Sequence, residues 1–363
     1  MAQQLGLYVS VPFCRAKCSF CNFASGVGSE ESRRAYERAL VEEIRGHEWA
    51  WRPETVYFGG GTPSLMPLEL LDELMAAIPG NRVSEVTMEC APGTFTRETA
   101  TAWGRAGVNR VSLGVQSFVS EELRQTGRRH TAEMVQRDVE VLREAGLGEI
   151  NLDLIAGLPA QTRESWQESL DWIQRLHPPH VSIYIFEVDE DSRLGKEVLL
   201  GGVRYGAGRV PGDDLVAELY ERAVSGLAAM GIQRYEISNF AKPAHRSRHN
   251  LKYWLLEPYV GFGLDAHSFD GQRRWSNPDE MQAYLSRREV PEAIATDAGE
   301  EHFFVGLRLM EGIEPTEAEW ERFARPIERW LDTGMLQRAG ERLRLAPGGV
   351  LLSNEIFQDF LHA

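Results

Sequence analysis

The sequence predicts an α/β protein: an open (β/α)6 partial TIM barrel followed by a C-terminal winged-helix-like module. From residue 5 to about 187, short apolar runs rich in β-branched residues alternate with longer amphipathic runs. This alternation is typical of βα units around a parallel sheet. Six such units are too few for a closed eight-stranded barrel, so we expect an open one with its functional face at the carboxyl ends of the strands.

The βα units follow one another in a regular order. The predicted strands are LGLYVSV (5–11), TVYFGG (55–60), SEVTMEC (84–90), RVSLGV (110–115), INLDLI (150–155) and HVSIYIF (180–186). The predicted helices cover about 30–48, 67–78, 96–106, 131–145 and 162–176. Ser29 and Thr131 precede two of these helices and are the residue types that cap helix N-termini.

The remainder of the chain breaks this rhythm. A glycine- and charge-rich stretch at 189–212 precedes a predicted helix at 213–230 and a strand near 232–238. The winged-helix-like module is predicted from helices at 298–310 and 316–333, a hairpin in LRLAPGGVLLS that turns at Gly348 and Gly349, and a final helical turn. We therefore predict three domains: the barrel at 1–190, a connecting region packed on the barrel at 191–295, and the C-terminal module at 296–363.

Composition excludes several classes of protein. The chain has 363 residues, 43% hydrophobic and 26% charged, and no uncharged apolar run approaches the roughly 18 residues that a membrane helix needs. The start MAQQLGLYVSVPFC lacks the pattern of a secretory signal, which predicts a cytoplasmic protein. A net charge of −15 opposes nucleic-acid binding, and residues 316–342 of the C-terminal module mix six acidic with five basic side chains.

Three of the four cysteines lie within eight residues, at Cys14, Cys18 and Cys21, directly after the first predicted strand. Three close thiolates can hold three irons of a [4Fe-4S] cluster and leave the fourth iron open to an exchangeable ligand. Structural zinc normally uses four protein ligands in two separated pairs, and zinc is kept as the alternative. Cys90 stands alone and is predicted to be a core residue.

A second motif, Gly59-Gly60-Gly61-Thr62-Pro63, follows the second predicted strand. Three consecutive glycines make a poor strand end unless a ligand lies against bare backbone. The cysteine triplet and the glycine triplet together resemble the radical S-adenosylmethionine (SAM) superfamily. Several longer segments, in the same order, resemble its oxygen-independent coproporphyrinogen III oxidase family: YVSVPFCRAKCSFC, YFGGGTPSLM, GVQSF, GRRH and NLDLIAGLPAQT.

Two features assign the branch within that family. The oxidase branch carries a further cysteine two residues after the third, where this chain has Phe23. The segment HNLKYW at 249–254 resembles the HNxxYW motif of the HemW branch, the haem chaperones. The resemblance implies haem or porphyrin as the ligand and a haem-acceptor protein as the partner; a membrane-associated acceptor and a homodimer are left open.

The resemblance also implies site residues. Cys14, Cys18 and Cys21 would bind the cluster, with Tyr8 packed near it. The residues implied for S-adenosylmethionine are Tyr8, Phe20, Gly60, Gly61, Thr62, Glu89, Gln116, Arg128 and Asp153. Their chemistry agrees, because arginine pairs well with a carboxylate and strand-end side chains converge on one mouth. In the alternative interpretation, Glu89 and Asp153 are strand-end carboxylates bonded to backbone donors, and Arg128 is a solvated charge.

For haem, the implied residues are His249, Asn250, Tyr253 and Trp254. Imidazole is a common haem ligand, and the two aromatic rings would offer flat apolar surface. The alternative is an ordinary surface histidine beside Arg246 and Arg248.

The chain departs from the family pattern at Ser10, where histidine is usual, and at Ala91, where asparagine is usual. Radical oxidation of a porphyrinogen side chain is the enzymatic alternative, with no catalytic residue assigned. A zinc-stabilised interaction module is a further alternative.

Overall fold

The computed structural model describes residues 5–80, 83–287 and 291–361, and the parts of the three predicted domains outside these ranges are not described. The strands are β1 (Leu5–Val11), β2 (Pro53–Gly60), β3 (Glu85–Cys90), β4 (Arg110–Gln116), β5 (Glu149–Ala156), β6 (His180–Ile185), β7 (Gln233–Arg234), β8 (Asn239–Ala241), β9 (Tyr259–Phe262), β10 (His267–Phe269), β11 (Arg273–Ser276), β12 (Ile294–Ala295), β13 (Leu336–Ala339) and β14 (Arg342–Leu345). The helices are α1 (Glu30–Gly46), α2 (Leu68–Ala77), α3 (Arg97–Ala106), α4 (Ser120–Gln125), α5 (Ala132–Glu144), α6 (Arg163–Leu176), α7 (Arg193–Leu199), α8 (Asp213–Ala229), α9 (Arg248–Trp254), α10 (Met281–Ser286), α11 (Ala298–Gly306), α12 (Glu317–Arg322), α13 (Ala324–Asp332) and α14 (Ser353–Gln358).

Strands β1 to β6 lie side by side in chain order, and every neighbouring pair among them is parallel. Within the described residues β1 and β6 do not pair with each other: β9 lies parallel to β1 on one side, and β8 lies antiparallel to β6 on the other. The predicted open α/β barrel with six parallel strands is therefore confirmed. Strands from residues 233–295 extend both edges of this sheet.

The outer faces of the strands build the core, and the inner faces are polar. Leu7 and Val9 in β1 and Val56 and Phe58 in β2 are fully buried in the main hydrophobic cluster. The alternate positions carry hydroxyl, amide and carboxylate groups that hydrogen-bond to one another across the interior of the barrel. This polar interior, here called the lumen, is unusual, because the core of such a barrel is normally filled by branched apolar side chains.

Helix capping follows the predictions. The Ser29 hydroxyl accepts the Ser32 backbone N–H at the start of α1, and the Thr131 hydroxyl accepts the Met134 N–H at the start of α5. These bonds satisfy backbone donors that a helix leaves free in its first turn. The two predicted caps are confirmed.

The amino end of the barrel is closed by residues 245–256, here called the floor, which contain α9. Glu85, the first residue of β3, accepts the backbone N–H of His249 at 2.9 Å, and Lys252 contacts Glu54 of β2 at 2.7 Å. β1 makes room for the floor at Gly6, where a Cβ would lie 3.0 Å from Lys252 Cδ. The backbone enters and leaves the floor with positive φ, +69° at Ala244 and +54° at Leu256.

Two predicted elements are wrong in detail. The single strand near 232–238 is instead a tight hairpin of β7 and β8, because Glu236 accepts the N–H of Ser238 and the Asn239 amide and so turns the chain. The single helix at 316–333 is interrupted at Phe323 into α12 and α13. Pro326 explains the interruption, since it has no N–H to donate to the preceding turn.

The predicted hairpin turn at Gly348 and Gly349 is also wrong. The C-terminal hairpin consists of β13 and β14 and turns at residues 340–341. Residues 347–352 form a 3₁₀ helix that begins at Pro347, which cannot donate to a strand ladder. The predicted helix at 298–310 is α11 and ends earlier, at Gly306.

No helix in the described ranges is both long enough and apolar enough to cross a membrane.

Candidate cofactor site

The three clustered cysteines lie in one closed loop at the carboxyl end of β1. Backbone bonds join its two ends, from Gly26 N to Pro12 O and from Cys14 N to Gly26 O, both at 2.9 Å. The loop is held on the barrel by Ser19, whose N–H donates to Thr126 O and whose carbonyl accepts the Leu194 N–H. Residues 12–26, here called the cysteine loop, therefore present their thiols at the mouth of the barrel.

The donor set of the cysteine loop fits a cluster. Cys14, Cys18 and Cys21 are all free and half-buried. Within the described part of the chain, no three His, Cys, Asp or Glu side chains are close enough together to hold a single metal ion. A four-iron cluster takes each thiolate on a different iron, so its ligands need not converge on one point.

The glycine segment supports the cysteine loop from below. A Cβ on Gly61 would lie 2.6 Å from the carbonyl carbon of Pro12, and Gly60 has a φ of +101°. The N–H groups of Gly61 and Thr62 donate to Val11 O and Phe13 O. The structure thus gives these glycines a reason apart from the predicted ligand: the backbone of the cysteine loop lies directly against them.

Two carboxylates, Glu89 of β3 and Asp153 of β5, lie in the lumen, and the charge of Asp153 acts on Glu89. Glu89 accepts the Tyr57 hydroxyl at 2.8 Å and the backbone N–H of Gly60. Asp153 accepts the Ser112 hydroxyl at 2.8 Å and the Asn151 amide at 2.7 Å. Burial raises the pKa of Glu89 to about 7 and raises that of Asp153 as well.

The partners of these carboxylates are chiefly side chains rather than backbone donors, so the lumen holds two acidic groups in fixed orientations. No described cation forms an ion pair with either of them at salt-bridge distance. A ligand with hydroxyl groups and an amino group fits this arrangement.

Arg128 and Gln116 complete the mouth. Both side chains lie over Gly114 of β4, and Arg128 Nη1 donates to the Gly114 carbonyl at 2.6 Å. Arg128 Nε is buried and has no hydrogen-bond partner, so the solvated-charge interpretation of this residue is wrong. Gln116 has a φ of +68°, a strained conformation that clusters at binding sites. An orphaned guanidinium donor at this position fits the carboxylate of a bound ligand.

The structure thus brings together most of the predicted S-adenosylmethionine residues. Gly60, Glu89, Gln116, Arg128 and Asp153 surround the carboxyl end of the lumen, with Tyr8 below the glycines and Thr62 beside Cys14. Phe20 is half-buried in the cysteine loop. Ser10 is buried, and its carbonyl accepts a hydrogen bond from the Tyr36 hydroxyl. The Ala91 N–H donates to the Ser64 hydroxyl at 3.4 Å, and its carbonyl accepts from the Thr94 hydroxyl.

Sequence reasoning missed several lumen residues. Tyr57, Ser112 and Asn151 hold the two carboxylates, and Tyr184 lies near Asp153 and Glu89. The signal was present, because period-two alternation along β2, β5 and β6 places polar side chains on one face.

The predicted haem residues lie at the other end of the barrel, in the floor. His249 is fully buried: Nδ1 shares a hydrogen bond with Thr55 Oγ1 at 2.9 Å, and Nε2 shares one with Tyr253 OH at 2.8 Å. The surface-histidine interpretation is therefore wrong. Burial lowers the pKa of His249 to about 3, so its ring is neutral, with both nitrogens engaged.

The other floor residues are also packed. Asn250 donates its backbone N–H to the Ser247 cap, and the guanidinium of Arg308 lies 4.3 Å from the centroid of the Trp254 ring. The structure does not bring the haem motif to the cysteine loop. By contrast, Phe23 of the cysteine loop is 63% exposed.

Comparisons with known proteins agree with this architecture. Residues 8–173 match the Radical SAM superfamily. The chain is 33% identical to "Heme chaperone HemW" of Bacillus subtilis over 98% of both chains, and 32% identical to that of Lactococcus lactis over 98% of this chain and 96% of the relative. The chain belongs to the HemW family of the radical SAM superfamily.

The solved structure of the coproporphyrinogen III oxidase HemN from Escherichia coli shares the fold of this HemW-family chain. Its TM-score is 0.83 at 22% identity, and the match covers 99% of this chain and 90% of that one. At this identity the likeness shows the fold alone.

Proposed function

We propose that this protein is a haem chaperone, which binds haem and delivers it to an acceptor protein while holding a [4Fe-4S] cluster and S-adenosylmethionine. The observation that supports this most directly is the match to HemW relatives over nearly the whole chain, including the floor and the C-terminal module. A cytoplasmic location, the three-domain division and a homodimer remain predictions.

In this proposal Cys14, Cys18 and Cys21 bind three irons of the cluster. When bound, the cluster and S-adenosylmethionine supply redox chemistry that the side chains lack. Arg128 would hold the carboxylate of S-adenosylmethionine through its free Nε donor. Glu89, Asp153 and Gln116 would accept or donate hydrogen bonds to its amino and hydroxyl groups.

The haem assignment to His249, Asn250, Tyr253 and Trp254 meets a condition in this structure. Iron needs a free ring nitrogen, so ligation by His249 requires loss of its bond to Thr55 or to Tyr253. Haem binding at this motif therefore includes a movement within the floor.

The proposal is tested by titrating anaerobically reconstituted protein with haem and following the Soret absorbance. We expect saturable binding, and loss of the bound haem to apomyoglobin added as an acceptor. His249→Ala should weaken haem binding and leave the iron content of the cluster intact. His267→Ala, which removes an exposed histidine, is the matched control and should bind haem as the wild type does.

A parallel incubation with coproporphyrinogen III, S-adenosylmethionine and a reductant tests the oxidase alternative. Sustained release of carbon dioxide in step with 5'-deoxyadenosine, without saturable haem binding, would overturn the chaperone proposal. If substitution of His249 and substitution of Trp254 both leave the haem affinity unchanged, the floor is not part of the haem site.

A further inference from the structure

Three aromatic rings from three separate elements stack inside the lumen. The Tyr8 and Tyr57 rings, from paired positions of β1 and β2, have centroids 6.0 Å apart and planes 18° apart. The His249 ring of the floor stacks on Tyr57 at 5.1 Å and 28°. Tyr57 is therefore held between a strand residue and a floor residue.

The hydroxyl of Tyr57 is directed at the mouth of the barrel. It donates to Glu89 Oε1 at 2.8 Å, and Tyr57 is the only side chain in the described hydrogen-bond network that donates to this carboxylate. The backbone N–H of Gly60 also bonds to Glu89. The orientation of Glu89 thus depends on the Tyr57 ring.

His249 is itself fixed from every side. Thr55 and Tyr253 engage its two ring nitrogens, and its backbone N–H donates to Glu85 Oε1 at 2.9 Å. A Cβ on Gly6 would lie 3.5 Å from its Cε1, so β1 leaves just the space that the ring fills. The ring cannot shift without breaking a buried hydrogen bond, and an unsatisfied buried polar group is unfavourable.

We propose that Tyr57 and His249 are positioning residues of the cofactor site: His249 holds the Tyr57 ring from the floor, and the Tyr57 hydroxyl directs Glu89 toward the bound cofactor. This inference rests on the proposed function in taking S-adenosylmethionine as the ligand of Glu89. It gives the histidine of the HNLKYW segment a role in the lumen that does not involve haem.

The electrostatic surroundings of Glu89 make the role measurable through pH. The titratable groups close enough to influence it or be influenced by it are Tyr8 of β1, Tyr57 of β2, Cys90 on the core face of its own strand, Asp153 of β5, Tyr184 of β6 and Tyr253 of α9. Burial raises the pKa of Tyr8, Tyr57, Tyr253 and Cys90, so these groups stay neutral near neutral pH. Glu89, whose pKa burial raises to about 7, is the group among them that titrates near neutral pH, and burial raises the pKa of Asp153 as well.

The hydrogen bond from Tyr57 lowers the pKa of Glu89 against the effect of burial. Tyr57→Phe removes this bond and keeps the ring, so the carboxylate should ionise at higher pH. We expect S-adenosylmethionine to bind about tenfold more weakly, and its binding to rise with pH at a higher midpoint than in the wild type. Calorimetry on the cluster-loaded protein between about pH 6 and pH 9 measures both effects.

Tyr220→Phe is the matched control. Tyr220 is buried, and its hydroxyl donates to the Ile237 carbonyl outside the lumen. This variant loses a buried hydroxyl as Tyr57→Phe does, and it should keep both the affinity and the pH profile of the wild type.

His249 is tested by two substitutions. His249→Phe keeps a ring against Tyr57 and should bind S-adenosylmethionine nearly as the wild type does, whereas His249→Ala removes the support and should approach the affinity of Tyr57→Phe. If the alanine variant does not fold, Thr55→Val replaces it, because it releases Nδ1 at similar volume.

Wild-type affinity and an unshifted pH profile in Tyr57→Phe, at full cluster content, would overturn the inference. So would a wild type that binds no S-adenosylmethionine. A wild type that binds S-adenosylmethionine but no haem would instead contradict the proposed function and leave the positioning role supported by the variant data.

Discussion

Arg128 is the residue whose surroundings say most about the ligand. Its Nη1 is used on the Gly114 carbonyl, and its buried Nε has no partner. Buried polar atoms are nearly always satisfied, so this unsatisfied donor on a cation at the mouth of the barrel is available to an anionic group. The barrel therefore holds the guanidinium through Nη1, and its Nε–H is available to a carboxylate.

Arg128→Gln should weaken S-adenosylmethionine binding by about tenfold to a hundredfold, because a hydrogen bond to a charged group is lost. Calorimetry on the cluster-loaded variant measures the change. Arg124→Gln is the control, since Arg124 is exposed on α4 and pairs with Glu121 at the surface. Equal affinities in the two variants would contradict the assignment.

At the scale of single residues, the sequence predicted the residues at the mouth of the barrel better than those deep in the lumen. Glu89, Gln116 and Asp153 stand at or near strand ends, and parallel strands bring such residues together whatever else the chain does. The burial of His249 had no comparable signal. It depends on contacts with Thr55 and Glu85, which lie 194 and 164 positions away in the chain.

Among the elements, the cysteine loop holds three of the four cysteines of the chain. Its backbone bonds close it on itself, and three cysteines occupy it while Cys90 lies buried in β3. The chain therefore contains three cysteines that can bind a cluster and one core cysteine, so substitutions of the two kinds can be compared directly.

Cys18→Ala should abolish the brown absorbance of the reconstituted protein, because one of three cluster ligands is lost. Cys90→Ala should retain full iron and sulfide content while losing about 1 kcal/mol of stability from a poorer core. Iron analysis and the visible spectrum after anaerobic reconstitution distinguish the two. An unchanged spectrum in Cys18→Ala would reject the cluster assignment.

Elements with strong local signals were predicted well, and those set by longer-range contacts were not. The capped helices α1 and α5 begin one residue after Ser29 and Thr131. The C-terminal hairpin was misplaced because two glycines suggested a turn, whereas the pairing of Leu336 with Leu345 fixes the turn at residues 340–341. Such pairing follows from which apolar side chains reach the core, and turn residues alone do not reveal it.

At the scale of the whole molecule, the lumen holds ionisable carboxyl groups in the interior of the folded protein. The folded state holds the proton of Glu89 up to a pKa of about 7, against an ordinary 4.5. The unfolded chain loses that proton first, so this group makes the folded protein less stable as pH rises through this interval.

Glu89→Gln cannot ionise and should lack this fall. In ligand-free protein, the stability advantage of the variant over the wild type should grow by roughly 3 kcal/mol from about pH 4 to about pH 8, at about 1.4 kcal/mol per pKa unit. Urea unfolding at several pH values measures this change. Both proteins contain the same histidines, so the contribution of the histidines to the pH dependence of stability drops out of the difference between the two profiles. Glu31→Gln, an exposed carboxyl on α1, should show no such trend. A constant offset between Glu89→Gln and wild type would contradict the buried ionisation.

The alternation of apolar and amphipathic runs sufficed to predict the six-stranded parallel barrel, because each βα unit carries its own pattern. What fills the barrel was not predictable in the same way. The floor follows the sixth strand by some sixty residues and belongs to no βα unit, so only the folded molecule shows that HNLKYW is an interior segment.

The position of the floor in the chain has a consequence for biosynthesis. All six parallel strands and the cysteine loop leave the ribosome before residues 245–256 do, and β9, which flanks β1, follows later still. Domains fold as the chain emerges, N-terminal parts first. The six parallel strands and the cysteine loop are therefore complete while His249 is still being translated, and until then the barrel has no floor. The residues of the mouth are therefore synthesised before the floor, which closes the amino end of the barrel.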